Sequence, residues 1–300
     1  PSNIIYDIKQ DSSGRIFFVG LTTSSSIDIY DGWVGELSYC GDVIWSKTIG
    51  GPNEDRLYSF EFTDTGDMIC VGRTKSYGNG DYDVWVLNID KTGNILWSNT
   101  YGRNLDDGGY GITVAKLTNS FKYVISGYSS SVIGGINKRS GLFLALDSLG
   151  DIVHKKGHYD TSGGAYSIQY TDVIESTTHS SPNPYYTAVG NVLDDDMFGG
   201  ISDVYYNGLV TRIGTTGNIS KARLIEDAYS GKKIHQLPSK EYIVAGAEHV
   251  LRLDEDILPI TLKSQGLYGG SRITDFDVHE SNVYFSGFKK IDGKNRLFSF

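Results

Sequence analysis

The chain has 300 residues, a formal net charge of -9 and no block of Lys or Arg. It therefore lacks the positive footprint that DNA or RNA demands, and no apolar run approaches the ~20 residues that span a bilayer, so neither nucleic acid nor membrane insertion is expected. Its two cysteines, Cys40 in a turn and Cys70 in a strand-like run, do not suggest a disulfide.

Residues 1–3, Pro-Ser-Asn, lead straight into a strand, so either a leader peptide has been removed or none was made. Residues 3–55 hold four runs rich in β-branched and aromatic side chains, Ile4–Lys9, Ile16–Leu21, Trp33–Leu37 and Val43–Thr48. Residues 56–109 repeat the pattern most clearly, with Leu57–Phe62, Met68–Thr74, Val84–Ile89 and Ile95–Tyr101. Two turn sequences, Asp64-Thr65-Gly66-Asp67 and Lys91-Thr92-Gly93-Asn94, join neighbouring runs as hairpins, which predicts one four-stranded antiparallel meander. Residues 110–164 keep Tyr123–Ser129, Leu142–Leu146 and Ile152–Lys156, with His154 where the earlier units have Trp45 and Trp97. Residues 165–229 carry a Ser/Thr/Pro-rich insertion over 175–184, placed in a hairpin where a loop grows at little cost. Residues 230–271 are shortened between Gly246 and Val250. Residues 272–300 supply only three strands, Ile273–Val278, Val283–Phe288 and one ending at Phe300.

A glycine near the end of each second strand recurs at Gly20, Gly72, Gly127, Gly190, Gly246 and Gly287, spaced 52, 55, 63, 56 and 41 residues apart. The motif Asp-x-x-Gly-Asn/Asp-Ile recurs in phase at Asp90–Ile95 and Asp147–Ile152. A period near fifty with a four-stranded unit predicts an all-β, six-bladed β-propeller, one domain over residues 1–300, with an incomplete last blade. Closing the ring buries the blade faces and leaves short edges. The open edge of the last blade is a template on which a partner could add a strand.

Residues 83–97, Asp-Val-Trp-Val-Leu-Asn-Ile-Asp-Lys-Thr-Gly-Asn-Ile-Leu-Trp, followed by Thr100-Tyr101-Gly102, resemble the β-propeller repeats of bacterial and archaeal surface or secreted proteins. The match is close over the first two units, fair in the third and weak beyond. The resemblance implies the fold and hardly constrains the function. At the level of architecture alone, propellers also serve as lectins, phage tail receptor-binding proteins and glycosidases.

No nucleophile elbow, Walker loop, dinucleotide fingerprint or zinc-protease motif is present, and the six histidines are scattered. Acidic residues recur in the loop that enters each first strand: Glu54 and Asp55, Asp106 and Asp107, Asp160, and Glu226 with Asp227. In a propeller such loops surround the central opening, so these carboxylates could hold Ca²⁺ or sugar hydroxyls, or simply cap their own loops. The loops between second and third strands add Tyr30, Asp31, Tyr77, Asp81 and Tyr82, Lys138 and Arg139, and residues 194–198, a mixture suited to sugars or protein surfaces. No carboxylate pair stands apart as acid and base, and no cofactor is required. The leading expectation is a non-catalytic recognition or adhesion module that binds a glycan or surface protein at a cell or virion surface. A purely structural assembly protein is the alternative, and a glycan-active enzyme stands third. An extracellular or virion setting fits best, with the cytoplasm left open, and a homo-oligomer would strengthen weak single-site binding.

Overall fold

The computed structural model describes residues 3–23, 29–133, 135–159, 166–179, 183–194, 206–225, 231–246, 249–263, 271–279, 282–291 and 294–299. The chain divides into two compact units, Pro1–Gly157 and His158–Phe300. Every regular element among the described residues is a β-strand.

The first unit holds three four-stranded sheets, each an antiparallel meander in chain order. They are β1 (Asn3–Gln10), β2 (Ile16–Thr23), β3 (Tyr30–Leu37) and β4 (Val43–Ile49); β5 (Asp55–Phe62), β6 (Met68–Thr74), β7 (Asp83–Ile89) and β8 (Ile95–Tyr101); and β9 (Asp107–Val114), β10 (Tyr123–Ile133), β11 (Ile136–Leu146) and β12 (Ile152–His158). The second unit repeats the meander in β13 (Tyr166–Ser176), β14 (Tyr185–Asp194), β15 (Tyr206–Ile213) and β16 (Ile219–Ile225), and again in β17 (Gly231–Gln236), β18 (Tyr242–Gly246), β19 (Val250–Leu253) and β20 (Pro259–Lys263). A three-stranded sheet follows: β21 (Ser271–His279), β22 (Asn282–Ile291) and β23 (Lys294–Ser299).

Apolar side chains alternate along the second and third strands and fill the space between sheets. Val71, Val84 and Val86 meet Ile112, Ile125 and Leu144 in one core, while Phe17, Val19 and Val34 meet Leu57, Phe60 and Cys70 in another. Fourth strands are exposed on one side, as at Ile44, Leu96 and Val153, and Trp45 and Trp97 pack their rings against these same two cores.

The hairpin turns form as their sequences dictate. Asp90 Oδ1 accepts the N–H groups of Thr92 and Asn94, while Gly93 sits at φ 80. Asp11, Asp147 and Asp254 build the same turn. These bonds hold the Asp90 carboxyl well below the usual carboxylate range, the backbone N–H of Asn94 being the largest cause.

The recurring glycine lies inside its strand at Gly20, Gly72, Gly127, Gly190 and Gly287, rather than at its end as the sequence suggests, and closes the strand only at Gly246. Each first strand carries a one-residue bulge against the second, at Tyr6, Tyr58, Tyr110, Thr171, Lys232 and Thr274. The bulge drives a first-strand carbonyl beneath the opposing glycine. A Cβ at Gly20, Gly72, Gly127 or Gly190 would overlap the carbonyl oxygen of Ile4, Arg56, Gly108 or Gln169. Only hydrogen fits there.

The residue after the bulge has a second task. Asp7 Oδ2 accepts the backbone N–H of Phe60 at 3.1 Å, and Asp172 Oδ2 that of Ile234 at 3.1 Å. Phe60 and Ile234 lie on edge strands, whose outward N–H groups would otherwise be buried unpaired. Each aspartate thus staples its sheet to the next.

Several strands run further than predicted. Tyr30 and Asp31 belong to β3, and Lys138 and Arg139 to β11, because β10 and β11 zip up as far as the Ile133–Ile136 pair. They are strand residues rather than loop residues. Asp160, Asp227 and residues 195–198 lie outside the described residues.

Candidate functional site

In the first unit, β1, β5 and β9 are the edge strands from which the three meanders start, and their bulges all present tyrosine. Tyr6 and Tyr58 have ring centroids 5.1 Å apart, Tyr58 and Tyr110 4.7 Å, and Tyr110 reaches Tyr128 of β10 at 5.9 Å. Tilted rings at these spacings are mutually attractive. The result is one aromatic row crossing three sheets, half-buried at Tyr6, Tyr58 and Tyr110 and fully buried at Tyr128.

Charged side chains flank the row. Glu54 accepts from Arg56 and from the Tyr82 hydroxyl, and Asp106 accepts from Arg139 at 2.9 Å and from the Tyr128 hydroxyl at 2.8 Å. Guanidinium groups lie on rings: Arg73 over Tyr82 at 3.9 Å, Arg139 over Tyr128 at 4.2 Å and Arg56 over Tyr30 at 5.2 Å. Burial raises the phenols of Tyr6, Tyr58 and Tyr110, against the pull of Arg56 and Arg73. They remain neutral hydrogen-bonding groups at any physiological pH.

The adjacent acids behave differently, because neighbouring strand residues face opposite ways. Asp55 and Asp107 are 0% and 1% exposed. Asp55 accepts from the Gly51 N–H at 2.8 Å, from the Ser76 hydroxyl at 2.7 Å and from the Thr74 hydroxyl. Asp107 accepts from the N–H groups of Arg103 at 2.9 Å and Ser130 at 3.2 Å. Both fasten the loop that enters their own strand.

Each has a second carboxylate beside it. Asp31 and Asp83, 8% and 2% exposed, each hold one buried oxygen with no hydrogen-bond partner among the described residues. A Cβ on Gly50 would strike Asp31 and Asp55 together, and one on Gly102 would strike Asp83 and Asp107. Burial, with the Asp107 charge adding to it, pushes the Asp83 carboxyl up to about 6, and burial and Asp55 raise Asp31 in the same way.

The predicted site residues therefore divide. Tyr30, Tyr82 and Asp106 join the tyrosine row; Asp31, Asp55 and Asp107 form buried pairs away from solvent. Tyr77 and Asp81 stand exposed in the 75–82 loop, where Asp81 pairs with Lys75 and the Tyr77 hydroxyl donates to the Gly50 carbonyl. Tyr77 also borders an open groove of about 820 Å³ lined by Ser98, Asn99, Thr100, Tyr101 and Asp151. Among the described residues no three His, Cys, Asp or Glu side chains gather for a metal ion. With Asp55 and Asp107 spent on loop N–H groups, the described part of the acidic set does not fit a calcium cage.

Tyr6, Tyr58 and Tyr110 were missed as site residues, although they fall at intervals of 52 residues. That spacing was legible. Their convergence was not, because it depends on the bulge.

No protein-family model and no curated protein matches the chain. Among solved structures it is similar to a protein of unknown function from Bacteroides caccae, with TM-score 0.48, 8% identity and coverage of 89% of this chain and 83% of that one. It is also similar to Sqt1 from Chaetomium thermophilum (TM-score 0.48, 11% identity, coverage 95% and 79%). The Pan2 WD40 domain of Neurospora crassa gives TM-score 0.45, 13% identity and coverage of 95% and 86%. At these similarities no site residue carries across.

Proposed function

We propose that the six sheets are the blades of one closed β-propeller and that the chain is a non-catalytic recognition module, binding a glycan or a surface protein at a cell or virion surface. The observation that carries this reading is the row Tyr6–Tyr58–Tyr110, edged by three guanidinium groups. Stacked, half-buried phenols offer large rigid contact area and neutral hydroxyls at low entropic cost, which suits sugar rings and protein side chains alike. Turnover would need an acid and a base in distinct settings flanking one bond. The paired aspartates are buried, and Glu54 and Asp106 are engaged by arginine and tyrosine. These features favour binding over catalysis.

The test is a panel of polysaccharides, cell-wall fractions and surface proteins, screened with the intact chain, with Tyr58→Ala and with Tyr39→Ala, whose ring is 92% exposed and lies in the 38–42 turn. Capture of a panel member that Tyr58→Ala loses and Tyr39→Ala keeps is the expected result. A folded chain that captures nothing would move the assignment to the structural, assembly-protein reading.

A further inference from the structure

Three guanidinium groups and two carboxylates meet at the tyrosine row, and the pairing leaves one cation over. Arg56 is paired with Glu54 and Arg139 with Asp106. Arg73 has no carboxylate within ion-pair distance among the described residues, although its charge helps to lower the Glu54 pKa from beyond that distance. Its guanidinium lies over the Tyr82 ring, the Tyr128 hydroxyl accepts from Nη1 only at 3.5 Å, and its Nε, like that of Arg56, is buried with no hydrogen-bond partner among the described residues. A partly buried guanidinium with an unsatisfied N–H is costly to keep. Arg73 is also not a residue that builds the repeat, for the positions that follow the equivalent glycines Gly20 and Gly127 are Leu21 and Tyr128. A costly group where the repeat does not require one marks function.

We propose that Arg73 anchors a carboxylate and that the ligand of this row is an acidic saccharide, its pyranose ring against the stacked tyrosines and its carboxylate on the guanidinium. This rests on the recognition reading and deepens it. The surplus is a single positive charge, which matches a monoanionic carboxylate better than a phosphate dianion. The planar fork of arginine fits a carboxylate edge-on, and an aromatic row fits the apolar face of a sugar. Uronic acids and sialic acids share this chemistry.

The test is titration of the intact chain with oligogalacturonate, oligoglucuronate and sialyllactose, with lactose and cellobiose as neutral controls. Binding of at least one acidic saccharide, with the neutral controls at least tenfold weaker, is expected, and the acid that binds tells uronate from sialate. Arg73→Gln is expected to weaken that binding by roughly ten- to a hundredfold, the worth of a charge-assisted hydrogen bond, with its melting temperature recorded. If that variant does not fold, Arg73→Lys decides, since it keeps the charge and loses the fork: weaker binding in a folded protein supports the anchor. Neutral sugars bound as well as acidic ones, with neither Arg73 variant affecting them, would overturn the acidic ligand while leaving the recognition reading in place. No saccharide bound at all would also overturn it, and the recognition reading falls with it only if the protein and cell-wall panel is empty too.

Discussion

At the scale of single residues, the two buried carboxylate pairs make the sharpest claims. Asp83 has a folded-state pKa raised to about 6, above its ordinary value, so it favours the fold when protonated. Its stabilising contribution is complete below the unfolded carboxyl pKa and is lost as pH rises through about 6. Asp83→Asn keeps an oxygen for the Asn79 N–H and gains an amide that can donate to Asp107. It is expected to raise the melting temperature at pH 8, by roughly 1 kcal/mol of stability, and the gain should shrink at pH 5. Thermal melts of both proteins at the two pH values check this, and equal shifts would show that the pair is not strained by charge. Asp107→Ala should do the reverse, because the N–H groups of Arg103 and Ser130 lose their acceptor. A loss of about 1–3 kcal/mol in urea unfolding is expected.

At the scale of elements, the bulged first strand explains the glycine that punctuates the sequence. Gly72→Ala would drive a methyl group into the Arg56 carbonyl, and backbone cannot move aside as a side chain can. A destabilisation of about 3 kcal/mol or more is expected in chemical denaturation, whereas Gly41→Ala, with nothing within 4 Å of the added Cβ, should cost only its left-handed backbone strain, about 1–2 kcal/mol. The strands themselves were legible: Met68–Thr74, Ile95–Tyr101 and Val250–Leu253 fall where composition and turn residues put them. Tyr30 and Asp31 read as loop because Asp and Gly are poor strand formers, yet β3 pairs through them to Thr23. The tyrosine row was hidden for a different reason. A period-two reading puts Tyr58 and Phe60 on the same face, and only the bulge between Leu57 and Ser59 turns the phenol toward its neighbours in the row. The acids were half legible. Their recurrence was plain, but which of each pair serves its own loop depends on the start of β5 and β9, a boundary that sequence places poorly.

At the scale of the whole molecule, a closed ring has no sheet that can be lost alone. If the six sheets are blades of one propeller, calorimetry should record a single cooperative transition, with calorimetric and van't Hoff enthalpies in agreement. Two transitions, or one segment melting ahead of the rest, would contradict closure and favour two separately folding units. The net charge of -9 keeps such a particle away from polyanions in general, so the proposed acidic ligand requires a local cationic site such as Arg73. Recognition is proposed to happen on the row that the bulged strands build. The most direct measurement follows the ring resonances of Tyr6, Tyr58 and Tyr110 in ¹³C-tyrosine-labelled protein while the captured saccharide or protein is added, with Tyr39 and Tyr77 as references. The three row resonances are expected to shift together while the Tyr39 and Tyr77 signals hold still. Shifts confined to Tyr77 and its loop, with the row unchanged, would contradict the proposal.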